Sequence, residues 1–104
     1  MALTNFRVLG GEDEFNGAVA IRCDDAKQPV LALVERALLD DYLTLRTPAK
    51  QLTLVERRSI VETNLPAFAP LIQAKYSAGE YSQHQRPGAL VPMVRISALP
   101  QLKP

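Results

Sequence analysis

The feature that most constrains this chain is a run of helical spacing from Thr53 to Gly79 that proline interrupts twice. Its apolar positions Leu54, Val61, Leu65, Phe68, Ile72 and Tyr76 follow in steps of seven, four, three, four and four, so they share one side of a helix. Arg58 falls in the same line, and Val55, Ile60 and Leu71 widen it. Thr53 followed three residues later by Glu56 is a capping-box pattern. The hydroxyl accepts from a free amide of the first turn, and the carboxylate meets the positive end of the helix dipole. Gly79 supplies the stop, because glycine readily enters the left-handed conformation that closes a last turn.

The prolines set the break. Pro66 suits a first turn capped by Asn64, where no amide bond is missed. Pro70 inside a helix would cost about 3 kcal/mol. The spacing therefore predicts two helices, 54–63 and 66–78, with a break or sharp kink between Asn64 and Pro70. A single bent helix is the alternative.

The rest of the chain supplies strands and one shorter helix. Thr4 to Leu9 reads as a short strand after which Gly10 to Glu14 turns. From Phe15 to Cys23, Phe15, Val19, Ile21 and Cys23 share one face and Ala18, Ala20 and Arg22 the other. Asp24 to Pro29 reads as a loop, and Val30 to Val34 as a strand covered on both faces. Together, 15–34 makes an antiparallel hairpin. Glu35 to Leu45 reads as a helix on Leu38, Tyr42 and Leu45, closed by Thr47-Pro48. Residues 80–90 are polar and read as a mobile loop. The segment 91–97 reads as a C-terminal strand that Pro92 confines to an edge, and 99–104 as a loose tail. The expected fold is α+β: a small antiparallel sheet packed on helices 35–45, 54–63 and 66–78.

Size and charge bound the function. A chain of 104 residues is expected to form one domain, 1–104. A net charge of +1 predicts no general attraction to nucleic acid or membrane. No stretch approaches the roughly 18 apolar residues of a membrane span, and Met1 to Phe15 lacks the basic head and apolar run of a secretory leader. Cys23 is the only cysteine, which precludes an internal disulfide and fits a reducing cytoplasm.

The order of elements resembles a group of short bacterial proteins of unknown function. The residues that carry the likeness are Arg36-Ala37-Leu38-Leu39-Asp40 in the short helix, Arg58 and Ile60 early in the long run, and Lys75-Tyr76 at its end. It spans about Phe15 to Gly79. Glu35 stands where a Ser or Thr cap is usual in that group, and the segment beyond Tyr81 has no counterpart. The resemblance implies a small α+β fold and carries no activity.

Few residues have chemistry to offer. His84 is the only histidine, and Cys23 paired with the distant His84 is the candidate nucleophile and base. Against that pair, His84 sits in a polar stretch, and Cys23 shares a face with Val19 and Ile21, where a thiol behaves as a small hydrophobe. The acidic runs at 12–14, 24–25 and 40–41 lack the alternation of a calcium loop, and no metal site or cofactor is expected. Arg57 is expected to point outward and Arg58 to sit in the apolar line, paired with Glu62 or meeting a ligand. Arg57, Arg58, Lys75 and His84 are thus the candidate ligand or partner contacts.

Three functions follow as expectations. The first is a non-enzymatic interaction or regulatory module that self-associates as a dimer or binds another protein. The second is a weak nucleic-acid-associated protein using Arg46, Lys50, Arg57 and Lys75, disfavoured by the net charge. The third is a small enzyme using Cys23 and His84.

Overall fold

The chain builds one five-stranded sheet and lays three helical segments on one face of it. In the computed structural model the elements run β1 (Leu3–Val8), β2 (Val19–Asp25), β3 (Gln28–Val34), α1 (Arg36–Arg46), α2 (Leu54–Thr63), α3 (Leu65–Ser77), β4 (Ser82–Arg86) and β5 (Ala89–Ile96). Residues 2–26, 28–46 and 53–102 are described, 43–46 by backbone alone. The strand order is β1-β2-β3-β5-β4. Neighbours are antiparallel except β3 and β5, which run parallel with Leu31 beside Met93 and Val34 beside Ile96. A parallel pair needs a crossover, and here the helices supply it. The expected α+β class stands.

Three expectations about strands need correction. The first hairpin starts at Val19, which leaves Phe15 in the preceding loop. Its strands run on to Asp25 and resume at Gln28, so the loop expected over 24–29 is a tight turn with Ala26 at φ 55°. The polar segment 80–90 is a hairpin: Ser82 to Arg86 pairs residue for residue with Met93 to Ala89. Pro87 and Gly88 (φ 81°) make its turn, the proline holding φ negative and the glycine taking it positive as in a type II turn.

The C-terminal strand is therefore interior, with β3 on one side and β4 on the other. Pro92 is tolerated there for a local reason. It pairs with Gln83, and alternation along a ladder closed by a two-residue turn aims its nitrogen at β3. Pairing with β3 starts one residue later, at Met93, so no ladder donor is lost inside the parallel register.

The core lies between sheet and helices. Val19, Ile21 and Cys23 of β2, Val30, Ala32 and Val34 of β3, and Val94 and Ile96 of β5 face Leu39, Val61, Phe68 and Ile72. Phe68 and Ile72 are fully buried and Leu65 packs on them, as the helical line requires. Fully burying each such side chain contributes about 1.5–3 kcal/mol. Leu102 is also buried, at 8% exposure, and Leu99 packs beside it, so 99–102 is no loose tail; 103–104 lie outside the described residues.

The long run is two helical segments with a one-residue break at Asn64. Thr53 caps α2, its Oγ1 accepting from the Glu56 amide at 3.2 Å. Asn64 does not cap α3 through its side chain; it is buried, and its Nδ2 donates back to the Ile60 carbonyl at 2.8 Å. Both prolines lie within α3, Pro66 in the first turn and Pro70 inside. At the far end Gly79 (φ 75°) closes α3, with Gly79 N–H donating to Tyr76 and Glu80 N–H to Lys75, a Schellman motif.

The phase of α2 differs from expectation, and one side chain explains it. Arg57 faces inward at 4% exposure, and Leu54 is only partly buried. The Arg57 Nε donates to the Gly17 carbonyl at 3.0 Å, and Nη1 donates to Asp40 Oδ1 at 3.1 Å. Asp40 also accepts from Arg36 Nε at 3.2 Å, and Asp13 holds the Gly17 amide at 2.7 Å. The buried guanidinium thus ties α2 to α1 and to the loop before β2. Arg58, one position round the helix, donates to the carbonyls of Gly11 and Glu12 in that loop rather than to Glu62.

Two predictions follow from this packing. Removing one partner of a buried ion pair strands the other, at about 3 kcal/mol or more. Urea unfolding of Arg57→Ala should show a loss at the low end of that scale, since Asp40 keeps some solvent. At the other end of α3, the Tyr76 hydroxyl donates to Asp25, and this bond, with burial and the neighbouring carboxylate charge, pushes the Tyr76 pKa up to about 12 from 10.0. The fold thus favours the neutral phenol. Its contribution is complete below pH 10 and is lost as pH rises through about 12. The stability difference between the wild type and Tyr76→Phe should be constant below pH 10 and shrink toward pH 12.

Candidate functional site

The second face of the sheet carries no helix among the described residues, yet its apolar side chains are dry. Ala20, Leu31, Leu33, Val91 and Met93 form a buried cluster there, with Leu9 and Phe15 against it. Alternation along the strands puts Arg22, Arg86 and Arg95 on the same face, and their stems wall the strip. The loop between β1 and β2 covers one end. Phe15 lies 5.5 Å from the His84 ring, Arg86 sits over the other ring at 5.8 Å from its centroid, and Glu14 pairs with Arg86. Where the loop stops, a shallow groove of about 280 Å³ remains between Arg22, Pro29, Leu31, Arg86 and Val91.

Each arginine on this face has a carboxylate nearby. Arg95 meets Glu35 at 3.2 Å, and Arg7 and Arg22 both lie 3.9 Å from Asp24. Such exposed pairs contribute little to stability, about 0–1 kcal/mol each. With Arg86–Glu14, four arginines face three carboxylates, so these groups leave a small positive excess rather than a strongly basic field.

The sheet has two edges, and they differ. β1 is irregular. Its register slips between Thr4 and Arg7, which places one extra residue on β1, and Asn5 there takes φ 61°. A bulge of this kind twists an edge away from further pairing. β4 has neither bulge nor proline, and its five residues hold one register. Arg86↔Ala89 closes the two-residue turn, so Arg86, His84 and Ser82 bond inward to β5 while Gln83 and Gln85 turn N–H and C=O outward. Tyr81 and Leu90 beside this edge are exposed large apolar residues, Leu90 at 56%.

The expected contact residues do not converge. Arg57 is inside the α1–α2 clasp, Arg58 is bonded to loop carbonyls, and Lys75 lies 4.0 Å from Glu80 at the end of α3. His84 lies on the open face against Phe15, Arg58 borders a small pocket with Phe15 and Ala20, and Lys75 borders a recess with Ser82, Met93 and Arg95. Of the nucleic-acid set, Arg57 is turned inward, Lys50 lies outside the described residues, and so does the side chain of Arg46.

Cys23 and His84 are on opposite faces of the sheet. Cys23 belongs to the core under the helices, and His84 packs against Phe15 on the other side. β3 and β5 stand between their strands, a separation of about 14 Å at the usual strand spacing. The thiol is further restrained chemically. Burial, then the Asp24 charge, pushes its pKa up to about 11, partly opposed by Arg7, and its Sγ is 3.7 Å from the Val30 carbonyl. A group that stays protonated at neutral pH is a poor nucleophile.

The β4 edge, Phe15 and Asp40 are the residues that sequence reading missed. A signal for the edge was present in Pro87-Gly88, a turn dipeptide between two segments able to pair. Among the described residues, no group of three or more His, Cys, Asp or Glu is placed to hold a metal ion, and no helix is long and apolar enough to cross a membrane. The geometry at Cys23 makes a direct prediction: a thiol reagent at pH 8 should label it only at the rate of unfolding, with rapid labelling in urea. Fast labelling of the folded chain would contradict a buried thiol. Comparison of the chain with protein-family models, with curated proteins and with solved structures finds no match in any of the three.

Proposed function

We propose that the chain is a non-enzymatic interaction or regulatory module that associates with itself, and that β4 is the surface it uses. The observation that carries this reading is the contrast between the edges: β1 is blunted by a bulge, while β4 presents an unbroken row. Unpaired strand groups at a regular edge are a template for another strand. The placement of the reactive groups supports the same reading, since the thiol and the imidazole are held on opposite sides of a sheet. A reducing cytoplasm fits the single buried thiol.

Sedimentation across a dilution series tests the reading. The expected result is a mass that rises above one chain with concentration. A single-chain mass at every concentration would overturn it.

A further inference from the structure

Resting on the reading above, we infer that the partner of β4 is a second copy of β4, paired antiparallel about a two-fold axis through His84. The chemistry of the strip singles out this occupant, because its centre, Gln83-His84-Gln85, is a palindrome. From Tyr81 to Pro87 the strip reads Tyr-Ser-Gln-His-Gln-Arg-Pro, with Gln83 and Gln85 symmetric about His84. Turned on itself, Gln83 meets the second copy's Gln85, and Gln85 meets the second copy's Gln83.

The hydrogen-bond phase agrees with that axis. Gln83 and Gln85 are the residues whose backbone groups face outward, so both meeting points become hydrogen-bonded pairs that exchange two bonds each. His84 bonds inward to β5, and it falls at the non-bonded central position, as the axis requires. An axis displaced by half a residue would set outward groups against inward ones, and an axis through Gln83 or Gln85 would set a glutamine carbonyl against Tyr81 or Pro87, neither of which has an amide free to answer it.

The ends of the pairing are self-consistent too. Beyond Ser82 and the second copy's Arg86, which both bond inward, the next outward-facing position sets Tyr81 against the second copy's Pro87. The Tyr81 amide is already spent on the Gly79 carbonyl at 3.0 Å, and proline has no amide. Neither side is left with an unsatisfied donor, and the exposed Tyr81 ring gains an apolar neighbour. The side-chain amides of Gln83 and Gln85 each offer a donor and an acceptor, so either can answer the other. Because the opposite edge of each copy is bulged at Asn5, the pairing closes as a dimer and does not extend into a fibre.

Site-specific disulfide trapping in the full chain tests the register. Residues facing each other at a non-bonded position lie about 4.5 Å apart at Cα, within the range a disulfide spans. His84→Cys should form a disulfide-linked dimer on mild oxidation. Gln83→Cys and Gln85→Cys should each fail to link with themselves and should link when mixed. Val55→Cys, on the exposed side of α2, sets the level of random collision. If loss of the Phe15 contact unfolds His84→Cys, the mixed pair decides alone. A dimer by sedimentation whose cysteines link in any other pattern overturns this register and leaves self-association standing. A single-chain mass with linkage no faster than Val55→Cys overturns both.

Discussion

A buried guanidinium organises this molecule. Arg57 is nearly inaccessible to water, and a charge taken out of water must be answered where it lands. Asp40 on α1 answers it with charge and Gly17 with a carbonyl. Those two contacts set the rotation of α2, place α1 against it and pin the loop that leads into β2. Gly17 is also a position no other residue fills without strain. Its φ is 91°, and a Cβ there would stand 2.6 Å from the Arg36 side chain, which reaches past it to the same Asp40.

The pinned loop has a second consequence on the far side of the sheet. Its grip by Arg57 and Arg58 leaves Glu14 and Phe15 to lie over β4, where they meet Arg86 and His84. The sheet therefore has one face closed by helices and one closed by a loop and by arginine stems. The loop covers the face of β4 and leaves its outer rim exposed. A strand that is packed on its face and bare at its rim is held straight and ready to pair, which is the physical basis of the interaction proposed for it.

Much of this was legible in the residues, and the failures have definite causes. The capped start at Thr53, the stop at Gly79 and the helical line through Val61, Phe68 and Ile72 are local or periodic signals, and each is found as read. The apolar strand Val30–Val34 reads correctly for the same reason, being covered on both faces. β4 was missed because five polar residues carry no alternation to detect; they form a strand only because Pro87-Gly88 folds them back on β5. Arg57 was assigned outward because charge is ordinarily solvated. Asp40 and Gly17, which receive its hydrogen bonds, lie 17 and 40 residues away in sequence, beyond any local pattern. Of the candidate contacts, His84 lies on β4 itself, beside Phe15, which alternation in the sequence places in a strand and the fold places in the loop before β2.

What the sequence determined by itself was most of the elements, β4 excepted, and the apolar line of α3, since capping, proline geometry and periodicity act within a few residues. Tertiary structure decided the strand order, the parallel joining of β3 to β5, the inward turn of Arg57 and the difference between the two edges. Those outcomes depend on groups distant in the chain finding one another. Hydrogen-bond pairing and charge burial are settled only when the partners meet.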